Sequence, residues 1–150
     1  MGFWKQAHDD PGYLAIVDPD GTEHAAGEVL ARANQLTHAL RSLGLKKGDS
    51  VAAVLPNGAA PFTLYLAALQ TGLYYVPINY RLSAPEIAYI LDDSEAKAFV
   101  SHERFAKLVS DAADQTNIPA SARLAHGTIP GFSSYDELVD AQSTETPDDR

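Results

Sequence analysis

Few residues of this chain are placed to do chemistry. Arg81 follows an apolar run, Leu73-Tyr74-Tyr75-Val76-Pro77-Ile78, that reads as a strand. In open α/β sheets ligands gather beyond the carboxyl ends of strands, and a guanidinium there can grip a phosphate bidentately without losing its charge. Arg81 is therefore the candidate anion contact. The plainer reading pairs it with a nearby acid or a helix end, as for most loop arginines. The five histidines (His8, His24, His38, His102, His126) do not fall at metal-ligand spacings and read as surface or packing residues. The chain has no cysteine, which excludes disulfides, thiolate zinc sites and cysteine nucleophiles and permits a reducing cytoplasm. No G-x-x-x-x-G-K-S/T loop, G-x-G-x-x-G, G-x-S-x-G elbow or H-E-x-x-H occurs. Judged by its own residues the chain is a scaffold, with no catalytic residue and no metal ligand.

The elements that would position Arg81 alternate between strand and helix. A short strand, Tyr13 to Val17, ends in Asp18-Pro19-Asp20-Gly21, where proline presets one φ and glycine accepts a positive one. From about Ala25 to Leu43, Val29, Ala33, Leu36, Leu40 and Leu43 recur at spacings of four, three, four and three, which makes one apolar helix stripe. Burying its large aliphatics contributes roughly 1.5–3 kcal/mol each before entropy. Gly44 sits where a glycine would end that helix, and Lys46 and Lys47 lie near its negative pole. Gly48 and Asp49 read as a turn. Ser50 to Leu55 is apolar almost throughout, which suits a parallel strand covered on both faces. A buried helix is expected over Pro61–Gln70, then the strand that leads to Arg81. Tyr74 and Tyr75 should face opposite sides of it, and Pro77, which cannot donate to the ladder, suits its end.

Ser83-Ala84-Pro85-Glu86 has capping-box spacing with proline in the first turn and opens a helix carrying Ile87, Ile90 and Leu91. Ala96–Val100 reads as strand, His102–Ala113 as helix and Ser121–Ala125 as strand, and Ser134 with Glu137 repeats the capping spacing. Such alternation predicts an α/β fold, a parallel sheet with helices on both faces. Residues 1–142 are expected to form that unit, and 143–150, polar and acidic, an unpacked tail or cut linker.

At 150 residues the chain is about one domain. Twenty acids against eleven bases give a net charge of -9, which argues against nucleic acid as a partner because phosphate backbones demand a concentrated basic face. The start lacks a secretory h-region, no apolar run is long enough to cross a bilayer, and membrane contact is expected to be peripheral at most. Phe3 and Trp4 either meet a lipid surface or partner subunit, a homodimer included, or cap a core.

Two stretches carry more. ARANQLTHALRSLGLKKGDSVAAVLPNG, residues 31–58, and LAALQTGLYYVPINYRLSAPEIAYILDDSEAKAFVS, residues 66–101, closely resemble the amino-terminal region of the adenylate-forming enzymes. That superfamily joins acyl-CoA synthetases, peptide-synthetase adenylation domains and luciferases. The resemblance rests on G-D-x-V-A-x-x-L-P-N, L-x-x-G-x-x-x-V-P-I-N-x-R-L and I-L-x-D-S together, covers residues 13–105 and then fades. V-P-I-N-Y-R-L looks more like the fatty-acyl-CoA ligase branch than V-P-I-D-P of the peptide synthetases.

The resemblance implies an enzyme that joins a carboxylic acid, a fatty acid on this branch, to ATP, releasing pyrophosphate, and then transfers the acyl group to CoA while Mg²⁺ shields the phosphates. It implies that the phosphate loop, adenine motifs and catalytic lysine lie carboxyl-terminal to the matched region. The tail Thr146-Pro147-Asp148-Asp149-Arg150 resembles the segment just before that loop. The chain is therefore expected to be a truncation, inactive alone and binding no cofactor by itself. In CoA-using relatives an arginine at the position of Arg81 lies near the docked CoA nucleotide, which makes Arg81 the implied phosphate contact. The alternatives are an adenylate-forming ligase for an aryl or amino acid, or a freestanding non-catalytic α/β module. One departure stands out: the family often has an aromatic in L-T-Y-x-E-L, where this chain has His24-Ala25-Ala26-Gly27-Glu28-Val29, so the helix start should be looser.

Overall fold

The computed structural model describes residues 2–148; Met1 and the last two residues of the acidic tail, Asp149 and Arg150, lie outside the described residues. Its centre is β3 (Ser50–Val54), whose last four residues are all buried. Alternate side chains serve opposite faces. Val51 and Ala53 join Leu36 and Leu40 of α2 (Ala26–Ser42), Leu64 and Ala67 of α3 (Ala59–Thr71) and Val139 of α6 (Tyr135–Asp140). Ala52 and Val54 join Ile87 and Leu91 of α4 (Ala84–Asp93) and Val109 and Ala112 of α5 (Ala106–Ala113). A strand with no polar side needs helices on both faces, and that fixes the layer order.

β4 (Tyr74–Pro77), β5 (Ala96–His102), β6 (Arg123–His126) and β7 (Ser133–Ser134) complete a five-stranded sheet in the order β4-β3-β5-β6-β7, parallel throughout. The expected α/β architecture is the one observed. α2 buries Val29, Ala33, Leu36 and Leu40, the expected stripe, and Gly44 ends it at φ 92°. α3 begins at Ala59, ahead of the expected Pro61, because proline is tolerated in a first helical turn. The helix expected over His102–Ala113 is divided: β5 runs through His102, a 3-10 turn spans Glu103–Phe105, and α5 follows.

Some elements lacked a periodic signal. A short helix α1 (Phe3–Asp9) precedes β1 (Leu14–Val17), and β1 folds back across the Asp18–Gly21 turn onto β2 (Glu23–Ala25) as an antiparallel hairpin outside the main sheet. The start of α2 is not loose. Ala25 has no side-chain acceptor, so only half of a capping box forms, Glu28 Oε2 accepting from Ala25 N–H at 3.3 Å. The helix is pinned instead by Ala26 N–H to Tyr13 O at 2.7 Å and Gly27 N–H to Pro11 O at 2.9 Å. That approach needs a glycine, since a Cβ on residue 27 would lie 2.9 Å from Pro11 Cβ. Phe3 and Trp4 cap the core around Ala7, Ala26 and Leu30.

The segment 143–150, expected to be an unpacked tail or cut linker, makes backbone contacts with α2 near its start. Asn34 Nδ2 donates to Thr144 O at 2.9 Å, Gln35 Nε2 donates to Gln142 O at 3.2 Å, and His38 Nε2 lies 3.1 Å from Glu145 O. The chain near 142–145 is thus stapled along α2, and Pro147 is buried. The staple is one end of a buried polar network. Gln70 Nε2 donates to Thr37 Oγ1 at 2.7 Å and to Asn34 Oδ1 at 3.3 Å, while Gln70 Oε1 accepts from Trp4 Nε1 at 3.1 Å. Buried polar groups stripped of a partner keep their desolvation cost. Gln70→Leu strands the Trp4 indole and two side chains of α2, and is expected to lower stability by about 1–3 kcal/mol, read from urea denaturation against the unchanged chain.

Candidate functional site

β3 continues through α3 to β4 on one side, whereas β5 lies on its other side and continues to β6. The loops leaving β3 and β5 therefore diverge, and a crevice opens between them at the carboxyl ends of the strands, where α/β sheets bind ligands. A cleft of about 410 Å³ next to it is lined by Leu55, Asn57, Tyr75, Asn79, Tyr80 and Arg81. Its neighbour, about 450 Å³, takes in Asn57, Gly58, Tyr80, His102, Arg104 and His126. Tyr80 lines both.

Arg81 is exposed at the rim. Its N–H donates to Asn79 Oδ1 at 2.9 Å, and its guanidinium carbon lies over the Tyr80 ring, 5.9 Å from the centroid. Among the described residues no ion pair engages Arg81, so the acid-paired arrangement is not what the fold builds. Arg104 is likewise free of ion pairs there, its N–H donating to His102 Nδ1 at 3.0 Å. Arg81 and Arg104 thus sit on adjoining loops without an ion pair among the described residues.

Three of the five histidines gather around this end of the sheet. His24 Nε2 lies 2.6 Å from Asp18 Oδ2, while Asp18 Oδ1 accepts from Ala59 N–H at 2.8 Å, so one carboxylate ties the hairpin to the start of α3. Gly58, at φ 138°, permits the contact, because a Cβ there would lie 2.6 Å from Asp18 Oδ1. His102 and His126 are register partners at the ends of β5 and β6. His126 stacks on Tyr135 with centroids 3.8 Å apart, and its Nε2 is buried without a protein partner. Burial pulls the His126 pKa down to about 4, opposed by Asp136 and helped by the neighbouring His102 and Arg32. Burial also pushes the Tyr135 hydroxyl well above its usual value. Arg32 holds the far side of this stack, bonded to Asp136 and Asp140 with its guanidinium carbon 5.6 Å from the Tyr135 ring centroid.

The sequence pointed to Arg81 alone. Arg104, Tyr80 and Phe105 were not singled out, although an arginine just past a strand end carries the same signal as Arg81. The stacking partners come from residues far apart in the chain and leave no local pattern.

Residues 3–149 match the family of AMP-binding enzymes, and the chain belongs to that family. It is 30% identical over 146 residues to the long-chain-fatty-acid–CoA ligase FadD13 of Mycobacterium tuberculosis, covering 97% of this chain and 28% of that protein. It is 32% identical over 112 residues to a feruloyl-CoA synthase of an Amycolatopsis species, covering 73% of this chain and 23% of that enzyme. Among solved structures, a fatty acyl CoA synthetase of Mycobacterium tuberculosis superposes with a TM-score of 0.84 at 28% identity, covering 97% of this chain and 28% of that one. The anthranilate CoA ligase AuaEII, solved with anthranoyl-AMP, superposes with a TM-score of 0.87 at 25% identity, covering 95% and 28%. The chain thus corresponds to the amino-terminal region of adenylate-forming CoA ligases and spans at most 28% of the length of these relatives.

Arg81, free of ion pairs among the described residues, lines an open cleft. Among the described residues no group of three or more His, Asp or Glu is placed to hold a metal ion.

His126 gives the site a pH signature. Unfolded, it takes a proton below about pH 6.5; folded, it resists until about 4. Between those values the unfolded state binds more protons, so stability rises with pH across that window. The gain is at most about 3 kcal/mol. Urea melts at pH 4.5 and 7 are expected to show a smaller pH-dependent difference for His126→Asn than for the unchanged chain.

Proposed function

We propose that this chain forms the amino-terminal layer of an acyl-CoA synthetase that activates a carboxylic acid with ATP to an acyl-adenylate and passes the acyl group to CoA. The observation that carries the reading is the placement of Arg81, a cation free of ion pairs on the loop leaving β4, at a cleft beyond the carboxyl ends of the sheet. In this reading Arg81 holds a phosphate of the CoA nucleotide. A guanidinium keeps its charge at every physiological pH. The adjoining Arg104 adds positive potential without touching the reacting atoms.

The chain's own residues bind and orient; they do not attack, protonate or leave. In this reading adenylate formation, and the Mg²⁺ it uses, are the work of residues this chain does not contribute, and the chain by itself turns over nothing. The fatty-acid substrate is favoured by the V-P-I-N-Y-R-L motif together with the likeness to FadD13. An aryl acid is the second reading, favoured by the feruloyl-CoA synthase and anthranilate ligase likenesses. The cytoplasm, with its ATP and CoA, is the proposed place of work. Among the described residues no helix is long and apolar enough to cross a bilayer.

The coding frame is expected to continue past Arg150 into a Thr-Ser-Gly-Thr-Thr-Gly-x-Pro-Lys-Gly-like loop, and sequencing the gene checks it; a stop codon at that point favours a freestanding module. In the product of the complete frame, Arg81→Glu is expected to raise the KM for CoA by about tenfold to a hundredfold, the loss of one charge-assisted bond. Adenylate formation, followed by carboxylate-dependent ATP–pyrophosphate exchange, should be unaffected. An unchanged CoA dependence removes the role given to Arg81.

A further inference from the structure

The loop that carries Arg81 is shaped locally. Arg81 N–H donates to Asn79 Oδ1 at 2.9 Å and Leu82 N–H to Asn79 O at 3.2 Å. Both bonds set the backbone turn, and neither reaches the guanidinium. Tyr80 reaches further. Its ring stacks on that of Phe105, centroids 4.8 Å apart and planes inclined by 14°, and the Arg81 guanidinium carbon lies over the same Tyr80 ring at 5.9 Å. Phe105 closes the 3-10 turn after β5 and is half-buried, packed against the cluster of Ile78, Ile87 and Val109. The contact therefore runs from the sheet's core, through one exposed aromatic ring, to a charged group on another strand's loop.

A free arginine side chain samples many rotamers, and gripping a phosphate removes that freedom. A ring beneath the guanidinium, itself held by a second ring, removes part of it in advance, and such preorganisation strengthens binding without adding a ligand contact. We propose that Phe105 is a positioning residue: through Tyr80 it holds the Arg81 guanidinium at the cleft rim, ready for an anionic phosphate of CoA. Phe105 touches no ligand. The inference rests on the reading of Arg81 as the CoA phosphate contact.

The test uses the product of the complete coding frame with CoA as the probe, in the unchanged form and as Phe105→Leu, Phe105→Tyr and Arg81→Gln. ¹⁵N relaxation of Arg81 Nε and of the amides of residues 79–82 reads the loop, calorimetry reads CoA affinity, and a thermal melt reads folding. Phe105→Leu is expected to keep a cooperative melt, to increase motion at Arg81 Nε, and to weaken CoA binding about fivefold. Phe105→Tyr, which keeps the ring, should restore both. If Phe105→Leu leaves motion or affinity unchanged while Arg81→Gln weakens binding, the positioning role is overturned and the Arg81 reading stands. Phe105→Tyr being as weak as Phe105→Leu also overturns it, since the effect would then follow local packing. CoA binding that is immeasurable, or indifferent to Arg81→Gln, overturns the Arg81 reading and this inference together.

Discussion

β3 has no side that water can wet. Val51 and Ala53 face one helical layer, Ala52 and Val54 the other, and all are buried. A strand of this kind is stable only in the middle of a sheet covered on both faces, which leaves its neighbours parallel and its connections helical. Parallel strands send every carboxyl end the same way. The loops bearing Asn57, Arg81, Arg104 and His126 therefore converge because of an apolar stretch in which none of them takes part.

Convergence would be of little use if the surrounding pieces drifted. Two devices prevent that, and both place polar groups where apolar packing alone would leave choice. Asp18 bonds His24 and the first amide of α3, which sets the hairpin against the sheet. The Gln70 network joins Trp4 of α1 to Thr37 and Asn34 of α2, and through Asn34 to Thr144. The direction in which the chain leaves residue 144 is thus linked to its first helix through the core. Networks of this sort add specificity when every member is satisfied, as the directional bonds of Gln70 are here.

The long elements were legible because their burial is periodic or continuous. The Val29–Leu40 stripe, the Ser50–Val54 strand and the Ser83–Glu86 cap each follow from local physics. Arg81 was legible as a strand-end cation, and the resemblance to adenylate-forming enzymes sharpened its meaning. α1, β2 and β7 were not legible, being too short for a period to show. The contacts of Thr144 and Glu145 with α2 leave no mark in the sequence, because they use backbone carbonyls that any residue type offers. The Phe105–Tyr80 and His126–Tyr135 stacks were hidden for another reason. Each joins residues from separate elements, and the lowered pKa of His126 comes from burial that only the folded chain produces.

Lys5, Arg32, Lys97, Lys107 and Arg123 are paired with acids, while Arg41, Lys46 and Lys47 elsewhere, and Arg81 and Arg104 at the cleft, are free of ion pairs among the described residues. The proposed division leaves binding to this layer and bond-making to residues outside it. Pyrophosphate release with ATP and a panel of fatty and aryl acids tests that division most directly, applied side by side to the isolated chain and to the product of the whole coding frame. The account predicts carboxylate-dependent release from the latter and none from the isolated chain; release by the 150 residues alone, or silence from the whole product across the panel, would contradict it.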